Sequence, residues 1–182
     1  MTGPVPQEWL PDAPVERLVC HWTGGGYRAT PIDRLRYHLL IQGDGRIVRG
    51  LWPIGRWPAH TRRLNAGSVG IALCGMMGAV ERPLDWGPKP ISAFQMSRLV
   101  AVLAQLVERY ELLISPPTVL SHAEVPEVFG LAQRGKWDIA VWPNRDDLSG
   151  ASPVGAELRR LVGARLRELK QRREEISRPA RS

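Results

Sequence analysis

Apolar residues along the chain fall into short blocks bounded by turn residues and into two longer blocks with a three-to-four-residue period. The short blocks, 16–21, 37–42, 46–49, 68–74 and 118–122, are predicted strands, and Gly43-Asp44-Gly45 is predicted to turn a hairpin between the second and third. From Ser92 to about Leu113 the positions Phe94, Leu99, Leu103, Leu106 and Tyr110 lie near one face of a helix, and Ser92 with Gln95 supplies its capping box. Thr30-Pro31 opens a shorter helix leading to Tyr37. Strands alternating with helices predict an α/β fold with a single central mixed β-sheet flanked by helices. The Pro- and Gly-rich connections Trp52 to Asn65 and Val80 to Pro90 are long for a compact domain, and loops of that length usually build a binding surface.

The second periodic block follows Ser152-Pro153, where Leu158, Leu161, Val162, Leu166 and Leu169 recur on one helical face. Residues 1–150 are therefore expected to form one domain, and 151–182 a basic amphipathic C-terminal helix and tail. At 182 residues and 43% hydrophobic the chain can bury one ordinary core. Its net charge of +7 raises the question of nucleic acid. Much of that charge is local, with nine Arg and Lys against four Glu from Glu157 to Ser182, so no specific nucleic-acid partner is expected. The helix reads as packed on the domain with a solvated basic back, which also suits contact with anionic cell-wall polymers, lipopolysaccharide or membrane headgroups. No stretch is apolar for long enough to span a membrane, and the first twenty residues lack a basic start and an apolar h-region, so synthesis in the cytoplasm without a signal peptide is expected. Cys20 and Cys74, in different strand-like runs, read as small buried apolar residues.

Two histidines and one carboxylate change the picture. His21 closes Val15 to Cys20, His122 closes Thr118 to Ser121, and Asp138 stands in Arg134-Gly135-Lys136-Trp137-Asp138. Two imidazoles and one carboxylate leave a tetrahedral Zn²⁺ an open position, the arrangement of hydrolytic rather than structural sites. Alternation in extended chain puts Lys136 and Asp138 on one side and Trp137 on the other, and turns Cys20 away from whatever His21 binds. His122-Ala123-Glu124 also matches the H-x-E of zinc nucleobase deaminases, but those need a downstream P-C-x-x-C and no cysteine follows Cys74.

Five segments occur in a telling order: Val19 to Thr23, Tyr37 to Ile41 running into Gly43-Asp44-Gly45, Asn65 through Ser68 to Leu73, Ser121 to Val125, and Lys136 to Asp138. Over roughly residues 15 to 145 the chain resembles the type 2 N-acetylmuramoyl-L-alanine amidases, a family that includes amidase-type phage lysozymes and the peptidoglycan recognition proteins. The resemblance implies Zn²⁺ as cofactor, His21, His122 and Asp138 as its ligands, and peptidoglycan as substrate. It implies that Lys136 faces the developing oxyanion and that Tyr37 holds or deprotonates the attacking water. Glu124, two positions past His122, is the alternative general base. His60, Asn65 and, more remotely, Trp57 fall where the family lines its substrate groove, whereas His38 reads as a sheet histidine.

One departure stands out, because 16 positions separate His122 from Asp138 where many members use a shorter loop. Longer loops ending in Arg-Gly-Lys-Trp-Asp resemble those of phage and phage-derived amidases. The expected activity is hydrolysis of the lactyl–L-alanine amide by a phage or prophage endolysin, released to the wall through a holin-type opening. A cytosolic muropeptide-recycling amidase and a non-catalytic peptidoglycan-binding module are the alternatives, and an aspartate as third ligand argues against the second.

Overall fold

The computed structural model describes residues 3–177, so the last five residues of the expected basic tail lie outside it. Strands β1 (Arg17–Trp22), β2 (Leu39–Ile41), β3 (Ile47–Arg49), β4 (Ser68–Leu73) and β5 (Val119–Ser121) form one mixed sheet in the order β3-β2-β4-β1-β5. β2, β4, β1 and β5 are parallel, and β3 returns antiparallel on β2 through the Gly43-Asp44-Gly45 turn. The central strands are apolar without a break because both faces of the sheet are covered. Leu18, Cys20 and Trp22 of β1 join Val69, Ile71 and Leu73 of β4 on one face, packed against Met96, Leu99, Val102, Leu103 and Leu106 of helix α2 (Ala93–Arg109). Val19 and Leu120 point to the opposite face. His21 alternates with Cys20 and so lies on that second face too.

Four features differ from the sequence expectation. The strand predicted over 37–42 shortens to Leu39–Ile41, because Tyr37 caps helix α1 (Pro31–Arg36), donating its N–H to the Asp33 carbonyl at 3.0 Å. Tyr37 consequently packs with Leu40, Ala72 and Cys74 rather than sharing a face with Leu39 and Ile41. Phe94, placed on the core face of α2, is 56% exposed, and α2 stops at Arg109, where Tyr110 caps it and donates its hydroxyl to the Pro11 carbonyl at 3.1 Å. A small hairpin of β6 (Val141–Trp142) and β7 (Arg145–Ser149) was not foreseen, since Arg-Asp-Asp-Leu-Ser carries no apolar alternation to mark a strand.

Helix α4 (Ala151–Ser177) extends the core rather than sitting apart from it. Val154, Leu158 and Val162 are fully buried with the residues of α2 and β1, and Leu166 is partly buried against them. Arg159 turns inward, donating to the Val119 carbonyl at 3.0 Å and pairing with Glu124 at 2.9 Å. The Glu124 carboxylate also accepts the Ser121 N–H at 2.9 Å. Residue 155 must be glycine for this to fit, because a Cβ there would stand 2.0 Å from the carboxylate. A buried ion pair stripped of one partner is costly because it leaves an uncompensated charge. Arg159→Met should therefore lower the unfolding free energy by about 3 kcal/mol in denaturant titrations, and adding Glu124→Gln should recover most of it. No recovery in the double variant would show that Arg159 acts through packing alone.

Candidate active site

Parallel strands deliver their carboxyl ends to one edge, which is where open α/β sheets place ligand sites. His21 is the penultimate residue of β1, and His122 follows β5 directly in a 3-10 turn, His122–Glu124. Helix α3 (Val125–Phe129) then carries the chain away, and the segment up to Asp138 returns it. The return is pinned by backbone: the Ala123 N–H donates to the Asp138 carbonyl at 2.7 Å. His21, His122 and Asp138 are all buried, and one potential ligand atom from each lies within 4.8 Å of the others. Asp138 Oδ2 is 3.0 Å from His21 Nδ1 and 3.1 Å from His122 Nδ1.

Hydrogen bonding settles which nitrogen of His122 carries its proton. Gln133 Nε2 donates to the Arg62 and Leu131 carbonyls, which leaves Gln133 Oε1 to accept from the Arg62 N–H and from His122 Nε2 at 3.0 Å. His122 in its neutral form then presents a bare Nδ1 lone pair to a carboxylate oxygen. Burial would raise Asp138, but its contacts with the His122 and His21 rings bring it down to about 2, so it is ionised. Burial pulls His21 down to about 4 against the opposing effect of Asp138, so it is neutral near pH 7. A lone pair facing an anion across 3.1 Å calls for a cation between them. Two imidazoles and a carboxylate, with the second imidazole nitrogen held by an outer partner, are the donor set and support that a divalent metal requires, so the residues fit such an ion.

His21 has an outer partner as well. Its Nε2 is 3.1 Å from His60 Nδ1, which in turn is 2.8 Å from Thr61 Oγ1. The His60 ring packs against Gly70, where a Cβ would come within 2.7 Å of the ring. Burial and the neighbouring His21 hold His60 well below the ordinary imidazole range. The loop carrying this pair is shaped by Asn65, whose Oδ1 accepts the N–H groups of His60 at 3.1 Å and Thr61 at 2.8 Å.

Above these groups opens a cavity of about 540 Å³, lined among others by Trp22, Arg36, Tyr37, His60, His122, Lys136 and Asp138. A neighbouring cavity of about 520 Å³ shares Lys136 and Trp137 with it.

The model of the family described as N-acetylmuramoyl-L-alanine amidase matches residues 11–140. The chain belongs to that family. It is an enzyme of the same kind, with peptidoglycan amidase activity. Among solved structures, the N-acetylmuramoyl-L-alanine amidase LysC from Clostridium intestinale aligns with a TM-score of 0.51 at 20% identity, covering 81% of this chain and 89% of that one. The Ph2119 endolysin of a Thermus scotoductus bacteriophage aligns at 0.50 and 23% identity, covering 73% and 83%. At such identities the likeness is one of fold. No curated protein sequence matches the chain.

Within this amidase fold the sequence-derived candidates separate. His122, Asp138, Lys136, Tyr37 and His60 line one cavity, and His21 lies buried behind them against Asp138. Asn65 lines a smaller adjoining one and acts on the loop backbone. Glu124 is not brought to the cavity: its carboxylate is spent on Arg159 and the Ser121 N–H on the side facing α4. Trp57 is exposed and lines neither cavity. His38 is the buried sheet histidine expected, accepting the Gly70 N–H at Nδ1 and donating from Nε2 to the Arg56 carbonyl at 2.8 Å. Sequence reasoning missed Gln133, Thr61 and Arg36. Nothing local marks Gln133, since its importance comes only from the fold setting it against His122.

Two outcomes follow from these contacts. Gln133→Leu keeps the volume but removes the acceptor that fixes His122, so metal affinity, measured by competition with a chromogenic chelator, should fall about 10–100-fold. Unchanged affinity would remove Gln133 from the site. In metal-free protein, the unfolded chain protonates His21 below the ordinary value near 6.5 while the folded state resists down to about 4. Stability linked to His21 is thus complete above about pH 6.5 and is lost progressively as pH falls towards about 4. Urea midpoints recorded with chelator across that window should decline; a flat profile would mean that His21 is not buried neutral.

Proposed function

We propose that the chain is a zinc-dependent amidase that cuts the amide between the lactyl group of muramic acid and the L-alanine of the peptide stem, serving as a phage or prophage endolysin. The observation that carries the reading is the His122 tautomer: Gln133 fixes the proton on Nε2, leaving Nδ1 open towards an ionised Asp138. His21, His122 and Asp138 would hold the Zn²⁺. When bound, it supplies a Lewis acid that acidifies water and polarises a carbonyl.

The remaining roles belong to the protein's own groups. An amide carbonyl gathers negative charge on its oxygen as it is attacked, and a preorganised cation beside that oxygen lowers the barrier most. Lys136, at the cavity rim and two residues from Asp138, is that cation in this reading. Burial raises the Tyr37 phenol above its ordinary range, so it stays protonated near neutrality. Tyr37 is thereby suited to orient water or carbonyl by donating a hydrogen bond, not to serve as a base. Its ring centroid lies 5.1 Å from that of His21. Glu124 is left out of the chemistry because Arg159 holds its carboxylate. His60 and Asn65 shape the wall against which the substrate lies, and the two cavities on either side of Lys136 and Trp137 offer room for more than a single residue of a glycopeptide.

The endolysin role draws support from the fold likeness to a protein named as a phage endolysin. Synthesis in the cytoplasm followed by holin-type release goes with that role. Digestion separates it from muropeptide recycling: an endolysin clears intact sacculi, whereas a recycling enzyme prefers soluble anhydro-muropeptides.

Variants test the chemistry. His122→Ala should lose bound zinc and amidase activity together while the far-UV spectrum is kept. Lys136→Ala should retain zinc and lose about 10²–10³ in kcat, with Tyr37→Phe losing less. Full activity of His122→Ala, or of protein dialysed against chelator, would sink the zinc reading, and wild-type kcat in Lys136→Ala would remove the lysine from it.

A further inference from the structure

Positive charge without a carboxylate partner is denser in residues 28–63 than on α4, where among the described residues Arg167, Lys170 and Arg172 lack one. Among the described residues of α4, Arg159, Arg160, Arg165 and Arg173 each pair with a glutamate. Residues 28–63, by contrast, hold eight arginines and two aspartates, and among the described residues only Arg46 of the eight has a carboxylate within reach, that of Asp44 at 3.6 Å. The same stretch carries an unusual apolar surface. Helix α1 buries none of its six residues, although Ile32 and Leu35, three apart and therefore on one side, are 60% and 48% exposed. The chain leaving β3 runs directly beside it: Arg34 Nε donates to the Arg49 carbonyl at 3.0 Å, and the Leu51 N–H donates to the Arg34 carbonyl at 2.8 Å. Leu51 and Trp52, 53% and 46% exposed, continue the apolar surface. Isolated exposed hydrophobics are ordinary, but four of them around a helix that contributes nothing to the core mark an interaction surface.

We propose that this surface docks on a bilayer containing anionic lipid, with Ile32, Leu35, Leu51 and Trp52 entering the headgroup region and the surrounding arginines meeting lipid phosphates. A soluble polyanion would need the arginines alone and has nothing to offer four protruding apolar groups. A lipid interface offers both, and tryptophan favours that depth. Arg36 belongs to the docking helix and to the lining of the catalytic cavity, so docking sets the cavity mouth beside the membrane surface. The inference stands apart from the amidase reading, because lipid binding needs neither zinc nor turnover.

The test is co-sedimentation of the full chain with phosphatidylcholine vesicles, with and without phosphatidylglycerol, at low and high salt. Binding should appear only with phosphatidylglycerol and weaken as salt rises. The combined variant Ile32→Ser, Leu51→Ser, Trp52→Ser should bind about tenfold or more weakly, while its circular dichroism and its activity on soluble muropeptides stay at wild-type levels. Leu35→Trp, which enlarges the same apolar surface, should tighten binding severalfold. The proposal is overturned if wild-type protein ignores phosphatidylglycerol vesicles, or if the serine variant binds them like wild type. Equal affinity of wild type and serine variant for vesicles and for dextran sulfate would point to a charge-only polyanion site. Loss of vesicle binding on replacing Arg167, Lys170 and Arg172 with Gln, with the serine variant intact, would assign the contact to α4 instead.

Discussion

Everything at the catalytic edge depends on one carboxylate held between two imidazoles in a place that water scarcely reaches. Asp138 Oδ2 lies near 3 Å from a ring nitrogen of both His21 and His122, and all three residues are buried. Burying an anion is unfavourable unless positive charge or hydrogen-bond donors compensate for it. The fold accepts that cost at the end of a sheet whose other face is a fully apolar core, so the polar cluster does not interrupt the packing that stabilises the domain. Strand periodicity enforces the division: Leu18, Cys20 and Trp22 face α2, while Val19 and His21 face away.

The cluster is rigid because its outer partners are themselves tied to backbone. Gln133 is held by the Arg62 and Leu131 carbonyls and the Arg62 N–H, and His60 stands on a loop that Asn65 closes. Both supports meet at residues 60–62, so the long connection between β3 and β4 and the insertion after His122 brace one another. That connects the unusual spacing from His122 to Asp138 with function: the additional chain supplies the residue that fixes the His122 tautomer. On the opposite flank Glu124 and Arg159 fasten the same turn to α4, which makes the C-terminal helix part of the scaffold behind the site.

Strands, the long helix and the three converging residues were legible in the sequence because each rests on a local signal. Unbroken apolar runs mark strands covered on both faces, and Ser92 with Gln95 marks the start of α2. Alternation put Lys136 and Asp138 on one side with Trp137 on the other, whereas in the fold all three line the same cavity. What escaped was decided by tertiary contact. Tyr37 seemed to continue a strand, but capping α1 rotated it to the face of Leu40, which is the face that brings it to His21. Glu124 had the spacing of a base, yet the inward turn of Arg159 from a helix 35 positions later determines where its carboxylate points. No pattern of residue types around Gln133 distinguishes it from an ordinary loop amide.

Charge was legible only as a total. The net +7 and the basic C-terminal residues suggested that α4 carries the field. In the fold, glutamates of α4 and α2 meet Arg160, Arg165 and Arg173 of α4, as i,i+3 pairs and across the helix contact. Such exposed pairs add little stability, about 0–1 kcal/mol each, but they shorten the reach of the charge. Residues 28–63 have few acids to do the same, and Arg36 from that stretch joins Arg134 in lining the cavity. Arginines at the mouth favour anionic molecules in the cavity, while the buried carboxylate beneath them stays available to a cation, so the two charges act at different depths of one site.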